Sequence, residues 1–245
     1  VKIVYIDEGG RLASAYDRAA TMFSPKGRLY QVEYASKIVE QGTLGLGLVY
    51  SKGVLLGAEK AITSSLMIPE SVEKLFKIDD HVGAISAGLV GDARRLVKIA
   101  RELAQENMMY YDEAIDVEVL AKEISSIKQV FTQYAGMRPF GVSFIIGGVN
   151  DDRKRIFETE PSGALAEYKA TAIGRSKKKA MELLEKRYNE KLLLEDGVKL
   201  MVNIMRQCKE KNETFDINNV EFAYIETDRP FTRLTSKEVK AIISK

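Results

Sequence analysis

Tyr16 to Gly42, YDRAATMFSPKGRLYQVEYASKIVEQG, sets a turn, an amphipathic helix and a polar, aromatic lead-in ahead of the first apolar strand. Ser24-Pro25-Lys26-Gly27 has Pro at the second and Gly at the fourth position, the order of a type I turn, because Pro presets φ and Gly tolerates the exit. From Leu29 to Glu40 apolar side chains recur at helical spacing, at Leu29, Val32, Ala35 or Ser36, and Val39, while Gln31, Lys37 and Gln41 fall elsewhere. Gly42 stops this helix. Tyr16-Asp17-Arg18 puts a ring, an anion and a cation in a region with no apolar period, so the triplet is ordered only by groups outside its own local structure.

Outward from this stretch the chain groups its elements. Val1 to Ile6 reads as an irregular or mobile arm and not as a core strand. Leu44 to Tyr50 and Val54 to Glu59 form a hairpin about Ser51-Lys52-Gly53, and Gly42, Gly45, Gly47 and Gly57 thin its side chains, which signals close approach of another layer. Leu75 to Ile78 and Val82 to Ser86 pair around Asp79-Asp80, and Gly88 closes the pair. Two helices follow, about Leu89 to Tyr110 (Leu89, Ala93, Leu96, Ala100, Leu103 and Asn107 or Met108 on one face) and Val117 to Tyr134. Val142 to Val149, Arg155 to Thr159 and Ala164 to Ala172 read as a meander broken by turn signals. Helices about Lys177 to Tyr188 and Glu195 to Lys209, a last strand Val220 to Glu226, and a helix capped by Thr235 and Glu238 complete the order. Strands and helix pairs in alternating blocks predict an α+β fold of four layers, two stacked antiparallel sheets with helix pairs on the outer faces.

The composition bounds the function. Hydrophobic residues at 45% and charged residues at 29% are ordinary for a globular chain, and no linker divides the sequence, so 1–245 reads as a single domain: an arm and turn over 1–27 and a body over 28–245. Lys plus Arg at 37 against Asp plus Glu at 35 leaves no basic field for nucleic acid. Lys177-Lys178-Lys179 reads as a solvated helical face. One cysteine excludes an internal disulfide framework and fits a reducing, cytoplasmic setting; Cys208 continues the stripe Val198, Met201, Ile204 or Met205 and reads as core. His81, the single histidine, falls in a polar turn and reads as solvated, so no histidine-based metal site is available and no cofactor is expected. No apolar run approaches a membrane span, and no membrane partner is expected.

YDR followed by FSPKGRLYQVEYA resembles the N-terminal signature of proteasome α-type subunits, at Tyr16, Asp17, Arg18, Phe23, Ser24, Pro25, Gly27, Arg28, Gln31, Val32, Glu33, Tyr34 and Ala35. GVLLGAEK, SVEKLFKIDD, SAGLVGDAR, TQYAGMRPFGVS and EYKATAIG are similar to that family's blocks and stand in the family's order. The resemblance implies the αββα sandwich of the amino-terminal-nucleophile hydrolases. It also implies a seven-membered ring of α-type subunits stacked on a ring of β-type subunits, gating the entry of unfolded protein substrates.

Two uses of the same residues compete. In the catalytic β-type relatives a threonine at the head of the mature chain attacks, its own α-amino group serving as base; Thr43 and Lys74 match that threonine and the lysine of that site. Against this, Thr43 lies inside the chain behind the α-type signature, so its nitrogen is a peptide nitrogen. Glu213 to Tyr224 also lacks Asp-x-x-Ser-Gly, and Gly174-Arg175-Ser176 stands where Gly-Ser-Gly is expected. The second use is non-catalytic. The resemblance implies that Tyr16, Asp17 and Arg18 cross-pair between neighbours in the closed ring, and that Pro25 and Tyr34 brace the arm in the open one. It further implies that Lys74 receives the C-terminal carboxylate of a regulatory ATPase or other activator in a pocket lined by Leu29, Glu33, Gly42 and Gly88. Met137-Arg138-Pro139 falls in the family's pore-constriction loop. A ring without regulated opening is the third reading, and the YDR block speaks against it.

Overall fold

The computed structural model describes residues 5–6, 12–13, 21–24, 27–64, 66–134, 136–209 and 213–244, the first two pairs by backbone alone. β1 (Tyr5–Ile6) and β2 (Leu12–Ala13) form a separate antiparallel ribbon outside the two main sheets. α1 (Tyr30–Gln41) follows, buries Ala35 and Val39, and rests against strands of the second sheet. β3 (Gly45–Tyr50) and β4 (Gly53–Glu59) make the first hairpin, and β5 (Leu75–Asp79) and β6 (Val82–Gly88) the second. α2 (Val90–Tyr111) and α3 (Val117–Phe131) come next, then β7 (Val142–Asn150), β8 (Arg153–Thr159), β9 (Leu165–Tyr168) and β10 (Ala170–Ile173). α4 (Lys177–Arg187), α5 (Leu194–Gln207), β11 (Val220–Glu226), β12 (Arg229–Leu234) and α6 (Ser236–Ser244) complete the chain.

One sheet runs β10-β3-β4-β11-β12 and the other β5-β6-β7-β8-β9, with every pairing antiparallel. The period of two along each strand divides the apolar side chains among three cores. Leu46, Leu48, Tyr50 and Leu55 face α4, α5 and α6; Phe76, Ala84, Phe144 and Ile146 face α2 and α3; Val54, Leu56, Ile85, Ile145 and Ile156 meet between the sheets. Four layers joined by three buried interfaces are the predicted αββα sandwich.

The glycines of the first hairpin set the distance between the sheets, as their density suggested. A Cβ at Gly47 would lie 2.7 Å from Ile145 Cγ2, and one at Gly45 the same distance from Ile85 Cγ2. Gly57 differs, since its close neighbours are Phe222 and Met201 on the α5 side.

Several expectations need correction. Ala164 to Ala172 is two strands in different sheets: β9 pairs with β8, whereas β10 crosses over to pair with β3, Ile173 opposite Gly45. Val220 to Glu226 is not the last strand, because β12 folds back on β11 despite its Pro, which an edge strand tolerates. α3 ends at Phe131, leaving Tyr134 outside the helix and exposed. On α2 the buried face is Ala93, Leu96, Val97, Ala100 and Ala104, with Leu89 and Met108 exposed. His81 is not solvated: its Nε2 donates to Ile115 O (2.7 Å) and only 16% of its side chain is exposed. Nor are the three lysines simply a solvated face, because Lys177 pairs with buried Glu158 and Lys179 donates to Gln207 O. Cys208 is buried, and burial pushes its thiol pKa up. The Thr235–Glu238 capping box forms as read, Thr235 N donating to Glu238 Oε2 (2.7 Å) and Glu238 N to Thr235 Oγ1 (3.3 Å). No helix among the described residues is long and apolar enough to cross a membrane.

Candidate functional site

Thr43 sits where α1 hands the chain to β3. Its Oγ1 donates to Glu59 O (2.5 Å), and Lys74 Nζ donates both to Thr43 O (2.5 Å) and to Thr43 Oγ1 (2.6 Å). Lys74 is fixed at the entry to β5. Its own N–H and that of Leu75 each donate to Glu221 Oε1 (3.1 Å), and its carbonyl accepts from Ser86 N (3.0 Å). The side chain is buried, and burial pushes its pKa down to about 7, against the pull of Glu59 and Glu221. Lys74 has no ion-pair partner among the described residues, where its Nζ hydrogen-bonds to the two threonine oxygens.

Charge is instead gathered one step further on. The carboxylate of Glu59, buried at the end of β4, pairs with Lys209 and with Arg175 (3.6 Å), and Arg175 in turn pairs with Glu213 (2.6 Å). The loop bearing Arg175 is fastened to the threonine: Arg175 N donates to Gly42 O (2.7 Å), and Gly174, at φ +89°, would put a Cβ 2.4 Å from Thr43 O. Only glycine fits there. Chemically, the threonine hydroxyl sends its proton to the Glu59 carbonyl and not to Lys74, and its own nitrogen is an amide, so the free α-amino group that activates an amino-terminal threonine is missing.

Beside Lys74, α1 ends at Gly42 in extended backbone (φ −65°, ψ 151°). The helix stops there as expected, but glycine is required for a different reason: a Cβ would lie 2.8 Å from Gly88 N. Gly88, at φ +119°, would itself drive a Cβ to 2.1 Å from Gly141 O. Bare backbone at these glycines therefore lets the end of α1, the end of β6 and the segment entering β7 pack directly on one another next to Thr43. The stack is anchored by Asp92, which accepts a bidentate pair from Arg138 (2.6 and 2.7 Å) and the N–H of Gly141 (2.9 Å). Partial burial pushes the Asp92 pKa up, and Arg138 with the Gly141 amide more than offsets this, leaving it below the usual range. The loop containing Met137, Arg138 and Pro139 is thus clamped to the start of α2.

Of the residues expected to line an activator pocket, Lys74, Gly42 and Gly88 come together. Leu29 and Glu33 do not. They occupy the cap and first turn of α1, where Glu33 pairs with Arg28 (3.3 Å). At about 1.5 Å per residue they lie roughly 20 and 13 Å from Gly42 along the axis. Tyr34 is partly exposed on α1, its ring 6.4 Å from that of Tyr30 and 5.6 Å from Lys37 Nζ. Tyr16, Asp17, Arg18 and Pro25 lie outside the described residues.

The Glu59, Arg175, Lys209 and Glu213 cluster was not legible in the sequence, since its members are up to 154 positions apart and no spacing rule joins them. Lys128 was missed too. It is fully buried inside α3, donating to Thr159 Oγ1 (2.5 Å), with its Nζ 5.1 Å from the centre of the Phe144 ring. A gap in the apolar period of α3 was the only available signal.

Residues 39–225 match the family profile described as "Proteasome subunit", and residues 16–37 match the profile of the N-terminal signature of proteasome A-type subunits. Similar proteins include the proteasome alpha subunit of Methanocaldococcus jannaschii, 48% identical over 95% of this chain and 88% of the relative. The same protein of Methanopyrus kandleri is 46% identical over 95% and 93%, and that of Methanothermobacter thermautotrophicus 47% over 93% and 92%.

Proposed function

Because this chain belongs to the proteasome subunit family as a non-catalytic α-type member of the ring, we propose that seven such subunits close over a β-type ring and that Lys74 docks the carboxylate tails of a regulatory ATPase or other activator. The observation carrying the docking role is the state of Lys74: an ammonium group taken out of water, held by two neutral oxygens and given no anion of its own. An incoming C-terminal carboxylate supplies that anion. Leu29 and Glu33, too far from Lys74 within one chain, complete the pocket from the adjacent subunit. Tyr16, Asp17 and Arg18 cross-pair between neighbours over the pore, and Pro25 with Tyr34 braces the opened arm. Unfolded proteins are the cargo in transit, and the setting is cytoplasmic.

Lys74→Ala is expected to leave ring assembly with the β-type partner intact while abolishing stimulation of peptide hydrolysis by tailed activators. Stimulation equal to the unsubstituted ring would remove the docking role. The pH dependence has a sign. The carboxylate binds the protonated lysine, whose pKa in the empty pocket is about 7, so tail affinity falls as pH rises above that value, by up to about tenfold per pH unit. Titration of a tail peptide onto the assembled ring, from about pH 6 to about pH 9, checks it.

A further inference from the structure

Four segments distant in sequence bring charge together behind Thr43: the end of β4 with Glu59, the loop ahead of α4 with Arg175, the end of α5 with Lys209, and Glu213 just beyond it. The carboxylate of Glu59 is buried and pairs with Lys209 and, at 3.6 Å, with Arg175. Glu213 closes the circuit, 2.6 Å from Arg175 and 3.7 Å from Lys209. Two anions and two cations balance. Taking such a set out of water costs about as much as its mutual attraction returns, so stability alone does not account for it.

The same four segments hold the contact between Thr43 and Lys74, but they do so by main chain. Glu59 O accepts from Thr43 Oγ1 (2.5 Å), and Thr43 Oγ1 accepts from Lys74 Nζ (2.6 Å). Arg175 N donates to Gly42 O (2.7 Å). The Glu59 carboxylate and the Arg175 guanidinium bond to other charged side chains instead. Geometry at Thr43 is therefore carried by backbone atoms, and the field around it by side chains that can be exchanged separately.

The charges around Lys74 come from several directions. Glu221 of β11 accepts the N–H groups of Lys74 and Leu75 and pairs with Lys60 (3.4 Å) and with Arg233 of β12 (3.0 Å). Glu73 and Lys77, on Lys74's own segment, are exposed, as is Glu40 in the last turn of α1. β6 carries no charged residue. Burial is the largest influence on the Lys74 ammonium and disfavours it; Glu59 and then Glu221 favour it, and Arg175 opposes them. Glu221 is bound to the backbone of the strand, so Glu59 and Arg175 are the two charges that act on Lys74 without holding it in place.

We infer that Glu59 and Arg175 are positioning residues of opposite sign, whose ion-pair network with Lys209 and Glu213 holds the charge on Lys74 and so sets the pH range over which a carboxylate tail docks. This rests on the docking role proposed above and names what regulates it.

The test is binding of a labelled peptide with a free C-terminal carboxylate, and of its amidated twin, to the full chain assembled with a β-type partner, from about pH 6 to about pH 9. Glu59→Gln removes the attraction and should move the fall in affinity to lower pH. Arg175→Gln removes the repulsion and should move it to higher pH. Each displacement is expected to reach at least about half a pH unit, or about threefold in affinity near the upper end of the range. Damage to the pocket would weaken binding in both variants at every pH and leave the onset of the fall in place. Should Glu59→Gln fail to fold, Arg175→Gln decides alone, since a loss of structure does not tighten binding at high pH. Binding that requires Lys74 but falls at the same pH in all three rings, or at no pH, overturns this inference and leaves docking standing. Equal binding of the free and amidated peptides, or undiminished binding to the Lys74→Ala ring, overturns the docking role and this inference together.

Discussion

Lys128 puts a positive group where the helical pattern of α3 asks for an apolar one, and its surroundings set what that costs. Burial pushes its pKa down to about 7, opposed by Glu160 and Glu158. The unfolded chain therefore holds a proton at this position that the folded chain gives up between about pH 7 and the ordinary lysine range. The burden on the fold is full below pH 7 and fades as pH rises, so stability increases with pH by up to about 1.4 kcal/mol per unit. Lys74 adds a slope of the same sign. Lys128→Met is expected to flatten the rise by about one proton's worth, read as denaturant midpoints from about pH 7 to about pH 9. Parallel profiles for the two proteins would mean that Lys128 does not release its proton in the fold. The sequence could not disclose this residue, because a lysine on a helix is ordinarily a solvated one; only the position of Thr159 across the layer makes burial tolerable.

At the scale of the element, what could be read was whatever depends on local pattern. The two hairpins β3–β4 and β5–β6 and the helices α1 to α6 follow from apolar period, turn residues and caps, and their bounds differ from expectation by only a few residues. The crossing between β9 and β10 was hidden, since Leu165 to Ile173 runs on without a turn signal and the change of sheet happens at Lys169, a decision made by the partners β8 and β3. β12 was hidden for a related reason: with Arg229, Pro230 and Arg233 it lacks an apolar face and exists because β11 offers an edge. The site was legible in part, Thr43, Lys74, Gly42 and Gly88 converging, while the Glu59 cluster depends on long-range placement. The spacing of the layers gives a test at this scale. Gly47→Val must push into Ile145 at the centre of the inter-sheet core and should cost about 2 kcal/mol through overpacking. Gly91→Ala, with nothing within 4 Å of the new methyl near the start of α2, should stabilise by about 0.5 kcal/mol. Equal and small effects at both positions, in urea unfolding, would show that the sheets tolerate a wider spacing than the contacts imply.

For the whole molecule the decisive feature is that α1 closes the sandwich and seals the threonine with one set of contacts. Val39 caps the core between the sheets, Gly42 O holds Arg175 N, and Thr43 continues directly from the helix into β3. Two truncations, the first assembled with a β-type partner and the second tested alone, separate the roles of what precedes Thr43. Removing residues up to Thr21 leaves α1 and the three cores untouched. On the proposed gating role it should preserve the melting temperature and raise basal peptide hydrolysis; equal rates for trimmed and full-length rings would take the arm out of the gate. Removing everything before Thr43 exposes the amine that the catalytic relatives use, yet it also takes away α1. The loss of buried Val39 alone costs about 2 kcal/mol, and the Thr43 hydroxyl still donates to Glu59 O. That chain is expected to be poorly folded and inactive by itself. If it instead folds and cleaves peptides unaided, the contacts that seal Thr43 are not what keeps this subunit from catalysis.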